Sequence, residues 1–142
     1  MLRRELVLAA LASAGPEINF TPVKVQKLFF LLDREMAKLT KGPHFDYQPY
    51  DYGPFDRSVY ETLEELNRDG LIVIDESRTY RRYSLTAEGY TQGCLALANA
   101  PKSLQEYMRA LTSWLGRVSF AQLVSEIYKR YPDTKVNSVF RQ

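Results

Sequence analysis

The residues that most invite a chemical reading are three equally spaced aspartates, Asp46, Asp51 and Asp56, together with the only histidine, His44, and the only cysteine, Cys94. Clustered carboxylates are hard-cation ligands. Asp56, however, sits where a helix cap belongs, and Asp46 and Asp51 alternate with aromatic residues on an extended stretch. His44 lies in a Gly-Pro-flanked loop with no cysteine near it and reads as a turn or surface histidine. Cys94 stands at helical spacing from Tyr90, Leu97 and Ala98 and reads as a small buried residue. There is no glycine-rich phosphate loop, no Walker lysine and no Gly-x-Ser-x-Gly elbow. No pair of residues supplies a nucleophile with a base, or a metal with its ligands. The expectation is a non-enzymatic protein with no metal and no cofactor.

Binding chemistry is better represented, and it is segregated along the chain. Residues 1–41 carry seven basic and four acidic groups, residues 42–76 two and nine, and residues 77–142 ten and four. Such a polar molecule attracts phosphates or acidic protein at its basic ends and repels them in the middle. Arg78, Arg81 and Arg82 cluster around Tyr80 and Tyr83, a pattern suited to phosphate or minor-groove contact; the plain alternative is a solvated hairpin with arginines stacked on tyrosines. Lys24, Lys27 and Arg57 could add contacts to a nucleic-acid backbone. Against this, residues 56–69 combine Arg57 and Arg68 with Asp56, Glu61, Glu64, Glu65 and Asp69, and each carboxylate facing phosphates opposes the electrostatic attraction that dominates DNA affinity. The run Tyr50-Asp-Tyr-Gly-Pro-Phe55 either wedges the next helix against the core or presents Tyr50, Tyr52 and Phe55 as a contact surface, tyrosine being enriched at binding hot spots.

The elements that must position these residues follow from periodicity and capping. Residues 2–14 form an amphipathic helix stopped by Gly15-Pro16. Thr21-Pro22 opens a second helix, whose apolar stripe (Val25, Leu28, Phe29, Leu32, Met36, Leu39) is widened by Phe30 and Leu31, so it should be covered on more than one side up to Gly42-Pro43. Residues 44–55 read as an extended piece that turns into a helix capped by Asp56, with Val59, Leu63 and Leu66 buried and Gly70 at its end. Residues 71–74 and 80–85 read as two strands of a hairpin with its tip at 75–79, and Thr86 caps the next helix. Ser103-Leu-Gln-Glu106 and Ser119-Phe-Ala-Gln122 are capping-box patterns for two more, the last ended by Pro132. This order is that of a winged helix-turn-helix whose charged hairpin is the wing.

Asp69-Gly-Leu-Ile72 through Arg82-Tyr-Ser-Leu-Thr-Ala-Glu-Gly89 resembles the wing of PadR-like and MarR-like transcription regulators. Val25-Gln-Lys-Leu-Phe-Phe-Leu-Leu-Asp33, Phe45-Asp-Tyr-Gln-Pro-Tyr-Asp-Tyr-Gly-Pro-Phe55 and Ile127-Tyr-Lys-Arg-Tyr-Pro132 with Asn137-Ser138 resemble the bacterial YwgA-like proteins. More distantly, the Gln-Lys-Leu and Tyr-Gly-Pro elements resemble the SocA-like antitoxin domain called Panacea. The first resemblance implies DNA as partner; the last implies protein contacts such as those with a toxin.

The combined expectation is a mainly α protein with a small β-hairpin wing, a single domain over residues 1–142 with a winged-helix core (1–90) and a helical extension (91–142). One cysteine and no evident signal peptide or membrane span suggest a cytoplasmic protein without a membrane partner. The leading functional expectation is a DNA-binding regulator gripping double-stranded DNA through Arg78, Tyr80, Arg81 and Arg82, assisted by Lys24, Lys27 and Arg57. The alternative is a protein-binding module, antitoxin-like or part of a defence system, using Tyr50, Tyr52, Phe55, Glu61, Glu64 and Glu65. The C-terminal helices either cover the core or pair with a second copy as a homodimer.

Overall fold

The computed structural model describes residues 1–135; Asn137 and Ser138 lie outside them. Helix α1 (Arg3–Ala12) is followed by α2 (Pro22–Glu35), the short α3 (Ala37–Thr40), strands β1 (Gln48–Tyr50) and β2 (Gly53–Phe55) and α4 (Arg57–Arg68). Then come β3 (Ile72–Asp75), β4 (Arg82–Leu85), α5 (Ala87–Ala98), α6 (Lys102–Arg117), α7 (Phe120–Arg130) and a 3-10 turn (Pro132–Lys135). The protein is thus mostly helical, with two small antiparallel hairpins: β1 pairs with β2, and β3 with β4 in the register Ile72 opposite Leu85 and Asp75 opposite Arg82. Among the described residues, no helix is long and apolar enough to cross a membrane.

Local chemistry accounts for most helix starts. Thr21 accepts the backbone N–H of Lys24 with Pro22 in the first turn, Asp56 accepts that of Ser58, and Thr86 that of Gly89. Ser119 and Gln122 form the reciprocal box at α7, with bonds of 3.2 and 3.0 Å. The pattern at Ser103 does not cap. Helix α6 begins two residues earlier, after Pro101, and Ser103 sits inside its first turn. Proline takes the extended conformation that a cap residue needs, and Gln105 covers the turn by donating to the Ala100 carbonyl at 2.9 Å. The long second helix also breaks at Met36 (φ −127°), giving α2 and α3 instead of one element to Gly42.

The core is laid down around α1 and α2. Leu6 to Ala12 are all buried, as are Val25 to Asp33, so α2 is covered on every side; Leu2 is 72% exposed ahead of α1. Helix α5 lies close against α1 because Gly93 leaves room, and close against the chain at Leu71 because Gly89 does. A Cβ at Gly93 would stand 2.4 Å from the Leu8 carbonyl oxygen, and one at Gly89 1.9 Å from that of Leu71. Leu28, Phe29, Leu32, Leu63, Leu66 and Leu71 join one hydrophobic cluster. The inner stripes of α6 (Leu104, Met108, Leu115) and α7 (Leu123, Val124, Ile127) are buried within the same chain, so they cover its own core. Cys94, expected to be buried, is half-buried, because it lies off the glycine face that meets α1.

Candidate binding face of the aromatic hairpin, helix α4 and the wing

The stretch from Phe45 to Phe55 divides its aromatic residues between two tasks. Phe45 is buried against Phe29, with ring centroids 5.8 Å apart, and Tyr47 packs edge-on to Phe30 at 5.3 Å. Tyr50 and Tyr52, at the ends of the β1–β2 turn, remain 55% and 44% exposed. Of the aromatic residues in the run Tyr50–Phe55, Tyr50 and Tyr52 thus remain exposed and only Phe55 is half-buried, while the rings packed on α2 are Phe45 and Tyr47, upstream of that run.

The hairpin is held from beneath by polar groups of α2. The Gln26 side chain pairs with the Asp56 backbone in both directions, its Nε2 donating to the carbonyl at 2.9 Å and its Oε1 accepting the N–H at 3.1 Å. One residue on, Lys27 Nζ donates to the Pro54 carbonyl at 3.1 Å. Lys27 is only 4% exposed, and burial lowers its pKa to about 8. It is enclosed by the hairpin and cannot serve as the phosphate contact expected of it. Gly53 (φ +109°) makes this closeness achievable. A side chain there would be strained by the left-handed backbone, and its Cβ would meet Lys27 Cε at 3.4 Å and Tyr128 Cε1 at 3.6 Å. From α7, the Tyr128 hydroxyl reaches the Asp51 carbonyl at 3.5 Å, and Phe120 meets Tyr52 edge-on at 5.4 Å.

Asp33 secures the upstream end. Its two carboxylate oxygens accept the backbone N–H groups of His44 and Phe45, each at 2.9 Å. Burial raises its pKa. Arg3 of α1 stacks over the Phe45 ring at 4.5 Å and donates to the His44 carbonyl. The imidazole Nε2 of His44 lies 2.9 Å from the Thr40 carbonyl. The carboxylates of Asp56 and Asp46 serve local structure, Asp56 accepting from Ser58 N and Asp46 N and Asp46 from Gln48 Nε2; at Asp51 it is the backbone carbonyl that takes the Tyr128 hydroxyl.

A chain of aromatic rings joins the hairpin to α4 and the wing. Tyr50 stacks on Phe55 at 5.1 Å, Phe55 meets Tyr60 of α4 at 5.7 Å, and Tyr60 stacks on Tyr83 of β4 at 6.2 Å. On α4, Glu61 and Glu65 are exposed, and Glu64 is half-exposed 3.8 Å from Arg81. Arg81 pairs more closely with Glu76, at 2.8 Å, so its charge is compensated once within the wing and once from α4. Arg78 and Tyr80 are exposed, and Arg82 is half-exposed with its guanidinium near the carbonyls of Tyr80 and Arg81. Lys24 is half-buried beside the Thr21 cap, and Arg57 is exposed at the start of α4. The structure thus gathers Tyr50, Tyr52, Phe55, Glu61, Glu64 and Glu65 on contiguous elements. The sequence reading did not single out Gln26, Asp33 or Phe120 for the site; the unbroken burial of α2, foreshadowed by Phe30 and Leu31 beside the main stripe, was the available signal for the first two. Compared with known proteins, the chain matches no family model and no curated protein.

Proposed function

We propose that this chain is a non-catalytic protein-binding module built on a winged-helix scaffold, and that its contact surface is the β1–β2 hairpin with the acidic outer side of α4. The scaffold reading rests on the order α1, α2, α4, β3, β4 and on a backbone bridge from Phe20 to Tyr83. Phe20 N donates to the Tyr83 carbonyl at 2.8 Å and Tyr83 N to that of Phe20 at 2.9 Å, which adds a third extended segment beside the wing. Where a helix-turn-helix has a turn of about 3–4 residues, residues 36–56 intervene, and they end in the hairpin at the N-terminus of α4. The hairpin therefore stands at the end of α4 that would read bases, where Asp56 caps the helix and Arg57 is exposed.

The observation that carries the proposal is the pairing of exposed Tyr50 and Tyr52 with a buried, braced foundation. A rigid aromatic anchor loses little conformational freedom on binding. The carboxylates of Glu61 and Glu65 select a basic partner surface. The protein partner, such as a toxin, would be retained on the immobilised full chain. The test is retention by Tyr50→Ser/Tyr52→Ser and by Arg78→Ala/Arg82→Ala variants. Loss with the first pair and retention with the second supports the proposal; the reverse pattern overturns it.

Exposed Arg78 and Tyr80, with Arg82 beside them, favour a second reading in which the wing grips double-stranded DNA. Under that reading the unmodified chain shifts random duplex at about 50 mM salt and micromolar concentration. No shift under those conditions refutes it.

A further inference from the structure

Helices α6 and α7 carry a second face besides the ones buried on the core. Tyr107, Ala110, Leu111, Trp114 and Arg117 recur on α6 at the spacing of one helical face, continued by the cap residue Val118, and Gln122, Ser125, Glu126 and Lys129 do so on α7. The two faces wall a groove of about 1290 Å³, floored by Leu31 of α2. The lined stretch, from Tyr107 to Val118, is roughly 17 Å long at 1.5 Å per residue, the length of a three-turn helix. Leu31, Leu111 and Val118 are less than a tenth exposed and present an apolar bed, with Trp114 half-buried above it.

The rim is cationic. Arg117, Lys129 and Lys135 are exposed along it, while Arg130 is compensated by Glu35 at 3.2 Å; among the described residues, Glu126 is the other acid at the groove. Two helix faces meeting over an apolar floor form the geometry into which an amphipathic helix lays its apolar side. A basic rim around that floor admits a helix whose flanks are acidic and repels a basic one.

We infer that the α6–α7 groove is a docking site for an acidic amphipathic helix of a partner protein, seated with its apolar side on Leu111, Trp114 and Val118 and its carboxylates toward Arg117, Lys129 and Lys135. This site adjoins the base of the hairpin, Tyr128 lining the groove while its hydroxyl reaches Asp51, but Tyr50 and Tyr52 are not among its lining residues, and it stands whether or not the hairpin binds protein.

Trp114 is the only tryptophan in the chain, so intrinsic fluorescence reads the groove directly. The probe is a synthetic, tryptophan-free peptide of about fourteen residues, long enough for three to four turns, with leucine at i, i+3, i+4, i+7 and glutamate elsewhere. Titrated into the full chain, it should shift Trp114 emission to the blue with saturation in the micromolar range. The same peptide with lysine for glutamate should bind at least about tenfold more weakly. Arg117→Glu with Lys129→Glu should reverse that preference, and Tyr50→Ser/Tyr52→Ser should leave it intact, which separates this site from the hairpin. Equal binding of the two peptides, or no change in Trp114 emission, overturns the inference. So does displacement of the acidic peptide by a peptide of the chain's own residues 136–142, which would assign the groove to that segment.

Discussion

Replacing Lys27 with methionine should stabilise the protein, although it removes a hydrogen bond. The ammonium is 4% exposed and donates to the Pro54 carbonyl, and burial lowers its pKa from 10.5 to about 8. Each unit corresponds to about 1.4 kcal/mol, so holding the proton inside costs roughly 3 kcal/mol at neutral pH. Losing the bond from the charged donor to Pro54 costs about 2 kcal/mol. Methionine fills similar volume and brings no charge, leaving a net gain of about 1 kcal/mol at pH 7. The sign of the pH dependence follows from proton counting. Between the folded value near 8 and the unfolded value of 10.5 the unfolded chain binds more protons, so the parent grows more stable as pH rises through that window. Below pH 8 the penalty is complete and flat. Urea unfolding of parent and Lys27→Met at pH 7 and pH 10 measures this directly, since other titrating groups cancel in the difference. The advantage of methionine should shrink by most of the roughly 3 kcal/mol between those conditions. A variant that is destabilised at pH 7 by a constant amount at both pH values refutes the reasoning, because it would mean the ammonium is well paired or hydrated.

Three other expectations are open to the same unfolding measurements. Gly93→Leu must push α5 off α1, given the 2.4 Å clearance to the Leu8 carbonyl, and should cost about 3 kcal/mol or more; a change below about 0.5 kcal/mol contradicts the packing. Asp33→Ala strands two N–H groups, of half-buried His44 and buried Phe45, and should cost about 2–4 kcal/mol, with Asp33→Asn recovering part of it; equal stability of all three proteins contradicts that role. Leu63→Ala, at a fully buried position of α4, should cost about 2–5 kcal/mol, and a loss of only a few tenths contradicts the register of that helix.

The parts of this fold that were legible in the sequence are those whose cause is local. Thr21, Asp56, Thr86 and Ser119 announce helix starts because the cap acceptor and its N–H donor lie two or three residues apart. Ser103 misleads for a related reason: its pattern is correct, but the proline two residues earlier already starts the helix. Lys27 could not be placed from periodicity, because the group that encloses it, Pro54, is 27 positions away and arrives only when the hairpin folds back over α2. The aromatic run was visible as a candidate surface. Which of its rings face inward depended on the β1–β2 turn and on Phe120, whose ring faces Tyr52 from α7 rather than joining that helix's inner stripe. The wing arginines were visible as a cluster, yet the pairing of Arg81 with Glu76 and Glu64 needed the hairpin and α4 side by side.

The central claim is that the hairpin meets a protein, and it is tested most directly by placing a photo-activated cross-linking residue at position 52 in the chain expressed in its native cells. The account predicts a discrete protein adduct that is absent when the cross-linker stands instead at exposed Leu95 of α5 and that is lost when Glu61 and Glu65 are changed to Lys. Nucleic acid as the only adduct, or the same adducts from positions 52 and 95, would contradict it.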